Sequence, residues 1–93
     1  MTVVFTAAAN ADLDNILAYT KQNFPNQLPH LEARMREVIA GIERRPLSTR
    51  AVSQRLGVRV VPLLRFPFVI FYRQIDAGIE ILHIQHVAQQ TGH

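Results

Sequence analysis

Up to Pro46 the hydrophobic residues of this chain recur at helical spacing. Beyond it they gather in dense, β-branched runs. Val3, Val4 and Phe5 predict a short strand. Ala9, Leu13, Ile16, Leu17, Thr20 and Phe24 then mark one face of a helix, with Thr6 as its expected N-cap and Pro25 as its stop. Asp12 and Asp14 lie toward the positive end of that helix. A second stripe follows: Leu28, Leu31, Met35, Val38, Ile39 and Ile42. Asn26 is its expected cap, Pro29 falls in the first turn where no intrahelical N–H is needed, and Pro46 closes it. Joined by Phe24-Pro25-Asn26, the two stripes predict an αα-hairpin with a shared apolar seam.

Residues 47–54 read as a polar connector, and strand-like sequence follows. Asp76-Ala77-Gly78 is the clearest turn signal, with Gly78 able to take positive φ. It divides residues 67–75 from residues 79–86 as a hairpin. Pro62 and Pro67 lack an N–H for a ladder, so one strand is expected to end near Val61 and the next to begin near Phe68. The order is β-α-α-β-β-β, an α+β fold in which an N-terminal helical hairpin packs on one face of an antiparallel sheet. The whole chain, residues 1–93, reads as a single domain.

Size and composition narrow the functional classes. A chain of 93 residues buries roughly 60–65% of its unfolded surface, so its core is thin. It lacks an apolar run of membrane-spanning length, and the N-terminus lacks the basic residues that open a signal peptide. Zero cysteines remove disulfides, thiolate zinc sites and thiol nucleophiles together. A cytoplasmic location is the expectation. Five basic and five acidic side chains balance in residues 1–45, whereas residues 46–93 hold five arginines against Asp76 and Glu80. The entire net charge of +3 therefore lies in the second half. Arginine forks suit carboxylates and phosphates, so that half suits an acidic partner.

Three of the four histidines, His83, His86 and His93, fall in the last eleven residues. On a strand, His83 and His86 point to opposite faces and cannot share a metal ion. A metal site is not expected. His86 reads as a packed residue at a strand end, on the face of Leu82 and Ile84. His83 reads as the more exposed of the two, and His30 as solvated.

Three stretches carry a family resemblance. They are Asn10-Ala11-Asp12-Leu13 with the alanines before it, the block from Val58 to Arg73, and the block from Gly78 to His86. Over almost its whole length the chain resembles the RelE/ParE superfamily of small bacterial toxins from type II toxin–antitoxin pairs. RelE-type members cut messenger RNA at the ribosome. Attack of a ribose 2′-hydroxyl on its phosphate needs a base, an acid and cations. Those members are similar in placing one arginine early in the third strand and another just after the last strand. Here Val69 stands at the first position, and Gln89 or Gln90 at the second. If the chain is a ribonuclease, His83, His86, Arg65 and Arg73 are the remaining acid–base and phosphate groups. That incomplete set tilts the resemblance toward the ParE type, whose members act on DNA gyrase by binding and need no catalytic residue. The resemblance implies a cognate antitoxin as partner, gyrase as target, no cofactor, no membrane and no sequence-specific DNA binding by the toxin alone. A toxin dimer and a heterotetramer with antitoxin both stay open, as does a non-toxic relative that keeps only antitoxin binding. Arg59, Arg65, Arg73, His83 and His86 are the candidate target- and partner-binding residues.

Overall fold

A computed structural model of the chain describes residues 2–87. β1 (Thr2–Phe5) runs through Thr6 into α1 (Ala7–Asn23). Thr6 is extended, so its Oγ1 reaches forward and accepts from the N–H of Ala9 at 3.0 Å, as an N-cap does. A single 3-10 turn, Pro25–Gln27, leads to α2 (Leu28–Arg44). The expected Asn26 cap is not used. Asn26 lies inside that turn, and Gln27 at the cap position is already helical and makes no capping hydrogen bond. Pro25 and Pro29 start the turn and the helix by their fixed φ instead.

Four further strands complete the sheet: β2 (Arg50–Ala51), β3 (Val58–Leu63), β4 (Phe68–Ile75) and β5 (Gly78–His86). Their order is β1-β5-β4-β3-β2. β3–β4 and β4–β5 are antiparallel, as the turn signals require. β1 departs from the all-antiparallel expectation by pairing parallel with β5, with Thr2 opposite Gly78 and Phe5 opposite Ile81. The sheet is therefore mixed. No turn joins β1 to its partner, so the intervening helices decide its direction. β2 lies within the presumed connector, paired antiparallel with β3.

Pro62 lies inside β3, opposite Val69, beyond the expected strand end. It has the parity of Val58, whose carbonyl faces β2 and accepts from the N–H of Val52 at 2.8 Å. The nitrogen of Pro62 thus points to the β2 side. Pairing there reaches only Val60, so the missing donor breaks no ladder bond.

The helices cover one face of the sheet, α1 against β5 and α2 against β3. Ala9, Leu31, Met35 and Ile42 meet Leu63, Ile70, Tyr72, Ile79, Ile81 and Ile84 there. The other face carries a smaller cluster, Val58, Val60, Val69 and Phe71, with Val52 and Leu82 packed against it. A bulge explains how Ile81 and Ile84, three residues apart, share one face. Tyr72 pairs with Ile81 but Phe71 pairs with His83, so Leu82 is an extra residue. Leu82 consequently packs on the face opposite Ile84 and His86, correcting the simple alternation.

Gly78 has φ 152°, and a Cβ there would lie 2.1 Å from the Thr2 carbonyl oxygen and 2.7 Å from its nitrogen. The parallel β1–β5 contact admits no side chain at this position. Gly78→Ala is expected to destabilise the chain by about 2 kcal/mol or more in urea unfolding, through strain and displacement of β1. Ile70→Ala, at a fully buried position, is expected to cost about 2–5 kcal/mol by the same measurement. Leu82→Ala, at a half-buried position beside the smaller cluster, is expected to cost less.

Candidate functional site

The amphipathic register of α1 leaves one of its faces only partly used. Ile16 and Thr20 turn toward the sheet, while Tyr19 and Phe24 stay 60% and 55% exposed. Phe24, expected in the core stripe, lies outside it because α1 ends at Asn23 and the Phe24 backbone turns away. Its N–H still donates to the Thr20 carbonyl at 2.7 Å. Tyr19 and Phe24 form a tilted ring pair with centroids 6.2 Å apart. They make one lip of an open, largely apolar groove of about 700 Å³. Ile16, Leu31, Phe66, Phe68 and Ile84 also line it, and Asp12, Arg65 and His86 add charged or titratable groups.

Arg65 belongs to the turn between β3 and β4. The Phe66 N–H donates to the Leu63 carbonyl at 2.9 Å, and Arg65 has φ 76°. That is the third position of a type II turn, where glycine is favoured and a larger residue carries strain. The cost is of order 1 kcal/mol. His86 is exposed and His83 half-buried, the reverse of the expected order, because His86 ends the strand; its ring still sets edge-to-face on Phe68, directly opposite in the ladder, with centroids 5.6 Å apart. The structure brings Arg65 and His86 to one groove.

The remaining candidates are dispersed. His83 Nδ1 lies 3.4 Å from Asp12 Oδ2, and that same oxygen accepts the Ile84 N–H at 3.0 Å. Arg73 pairs with Glu80, directly opposite on β5, at 2.6 Å. Arg59 is half-buried and donates to the Thr49 carbonyl. His83 and His86 leave opposite faces of β5, since their ladder partners Phe71 and Phe68 do so. Val69 is buried. Gln89, Gln90 and His93 lie outside the described residues. Among the described residues, no three His, Asp or Glu side chains converge as metal ligands would. None of the described helices is long and apolar enough to cross a membrane.

Two functional features escape a linear reading. Asp12 reads as a helix-dipole residue, yet it is the acceptor for β5. Tyr19 lies off the apolar stripe, and that surplus aromatic is the sequence signal for the groove lip. Tyr72 is fully buried, with its hydroxyl donating to the Pro46 carbonyl at 2.7 Å and in contact with the Thr49 hydroxyl. It fastens the connector to the sheet.

The family model of the ParE toxin of type II toxin–antitoxin systems, parDE, matches residues 3–91. The chain belongs to the ParE toxin family. Among solved structures it is similar to the chromosomal ParDE TA system from P. aeruginosa, at 26% identity and a TM-score of 0.77, covering 92% of this chain and 95% of that one. It also shares its fold with a YoeB/ParE toxin from Agrobacterium tumefaciens, at 12% identity and a TM-score of 0.64, covering 92% and 98% of the two chains. No curated protein matches significantly.

Asp12→Ala would strip the Ile84 N–H of its acceptor and His83 of the carboxylate beside it. The expected loss is about 1–3 kcal/mol in urea unfolding. Asp12→Asn keeps an acceptor oxygen and is expected to stay closer to the parent chain.

Proposed function

We propose that this ParE-family chain is a binding toxin that inhibits DNA gyrase and is silenced by a cognate antitoxin seated in the α1–β5 groove. The observation carrying the binding reading is the dispersal of the candidate acid–base groups. His83 and Arg73, paired with Asp12 and Glu80, do not line the groove in which Arg65 and His86 meet Asp12, so two of the four candidate groups stand outside it. A phosphate transfer centre needs its base, acid and cations around one reacting atom. An apolar groove with aromatic lips instead suits an amphipathic segment that buries its apolar face. Folding of a disordered inhibitor onto that groove would fit an antitoxin removable by proteolysis. Gyrase lies in the cytoplasm, where this action would take place.

The strained Arg65 supports a role in the groove, because glycine would fill the turn at lower cost. Arg65→Gly is expected to raise stability by about 1 kcal/mol while weakening the antitoxin complex. Calorimetric titration together with thermal melting checks both effects. Stabilisation without loss of affinity would remove Arg65 from the contact.

The target is tested with purified toxin, gyrase, relaxed plasmid and ATP, beside an assay of ribosome-bound messenger RNA. Blocked supercoiling or accumulated cleaved plasmid with intact RNA is the expected result. RNA cleavage with normal supercoiling would restore the ribonuclease reading and make His83→Ala and His86→Ala the first catalytic variants.

A further inference from the structure

Residues 44–75 contain seven arginines and no acid, while the other 61 residues hold three cations and all seven acids. The fold turns part of this linear segregation into a spatial one, although Glu32, Glu37 and Glu43 lie on α2, which packs on β3, and Arg73 lies beside Glu80. Asp12 and Glu80 lie at α1 and β5, toward one side of the sheet, whereas β3 and β2 form the opposite side. Four of the arginines, Arg44, Arg45, Arg50 and Arg55, occupy the end of α2, the short edge strand β2 and the loop after it. All four are exposed, and among the described residues none is held by a carboxylate.

The backbone bearing these cations is anchored. The Ser48 N–H and hydroxyl both donate to the Arg45 carbonyl, at 3.1 and 2.8 Å. Tyr72 holds the Pro46 carbonyl, Arg59 holds the Thr49 carbonyl, and Arg50 pairs with Val60. The Val58 N–H closes the following loop on the Arg55 carbonyl at 3.2 Å. Only side chains would need ordering on contact, which lowers the entropic cost of binding.

We infer that this arginine edge is a sequence-independent docking surface for the phosphate backbone of duplex DNA. Guanidinium forks match phosphate oxygens bidentately, and a duplex presents a charge about every 1.7 Å along its axis. Single strands are bound on grooves with exposed aromatic stacking platforms. The aromatics of this basic stretch, Phe66, Phe68, Phe71 and Tyr72, are instead buried or half-buried. This inference goes beyond the gyrase reading, and its test contains neither gyrase nor antitoxin.

The test is fluorescence anisotropy of the full chain with a labelled 20-base-pair duplex of arbitrary sequence, between 50 and 200 mM salt. Four phosphate contacts predict a slope of log affinity against log salt near −3.6, or a loss of about 100-fold over that range. A scrambled duplex is expected to bind equally. Arg50→Gln with Arg55→Gln is expected to flatten the slope by about 2, and Arg36→Gln on the exposed face of α2 to leave it unchanged. Circular dichroism verifies folding, and the pair Arg44→Gln with Arg45→Gln replaces the first pair if that variant does not fold. Leu47 and Leu56, exposed among these arginines, make an acidic protein segment the rival occupant. The proposal is overturned by absent binding at 50 mM salt or by an unchanged slope in the folded double variant. It is equally overturned if polyglutamate or single-stranded RNA displaces the duplex at equal charge concentration.

Discussion

β5 extends to His86, but its parallel neighbour β1 stops at Phe5, opposite Ile81. From that point an edge of the longest strand would face the protein without a strand partner. Buried backbone groups left in that state cost more than most single contacts contribute. The start of α1 supplies what is missing. The Thr6 N–H donates to the Ile81 carbonyl at 3.0 Å, its hydroxyl to the Leu82 carbonyl at 2.9 Å, and Asp12 accepts the Ile84 N–H at 3.0 Å. The N-cap and first two turns of α1 thus replace a strand. The position of α1 follows from these bonds, and the groove between α1 and the end of β5 follows from the position of α1.

The bulge at Leu82 serves the same geometry. Without it, strict alternation would send either Ile81 or Ile84 away from the helices. With it, Ile79, Ile81 and Ile84 all enter the main core, and Leu82 goes to the smaller cluster behind the sheet. His86 then follows Ile84 onto the groove face, against Phe68, while His83 turns to the edge beside Asp12. Two histidines three residues apart therefore acquire different surroundings, a packed aromatic contact for one and a carboxylate for the other.

Charge is uneven across the sheet. Near β5, Glu80 compensates Arg73, and Asp12 lies beside His83. At the β2 edge, Arg59 is turned inward to brace the connector, and the other arginines face outward. A groove with apolar lips and an edge with exposed cations offer two chemically different surfaces on one small chain. The sheet order keeps them apart, because α1 lies over β5 and β2 is three strands away.

Local signals sufficed for much of this architecture. Thr6 as a cap, the two helical stripes, the Asp76–Gly78 turn and the antiparallel pairing of the last three long strands are properties of neighbouring residues. The apolar periods and turn chemistry alone determine them. The resemblance to the toxin superfamily was likewise legible, since its motifs lie in those same elements. Pro62 within β3, the strand at Arg50–Ala51, the parallel direction of β1 and the exposure of Phe24 were not. Each depends on which edge is already paired, where a helix ends in space, or which backbone lies across from a glycine. The candidate site divides in the same way. Arginine and histidine could be nominated by residue type, but their groupings could not. Whether Arg73 meets Glu80, His83 meets Asp12, or Arg65 meets the groove of His86 is set by ladder register and one extra residue in β5. Asp12 likewise accepts from the N–H of Ile84, 72 positions away, and only the folded chain brings the two within hydrogen-bonding distance.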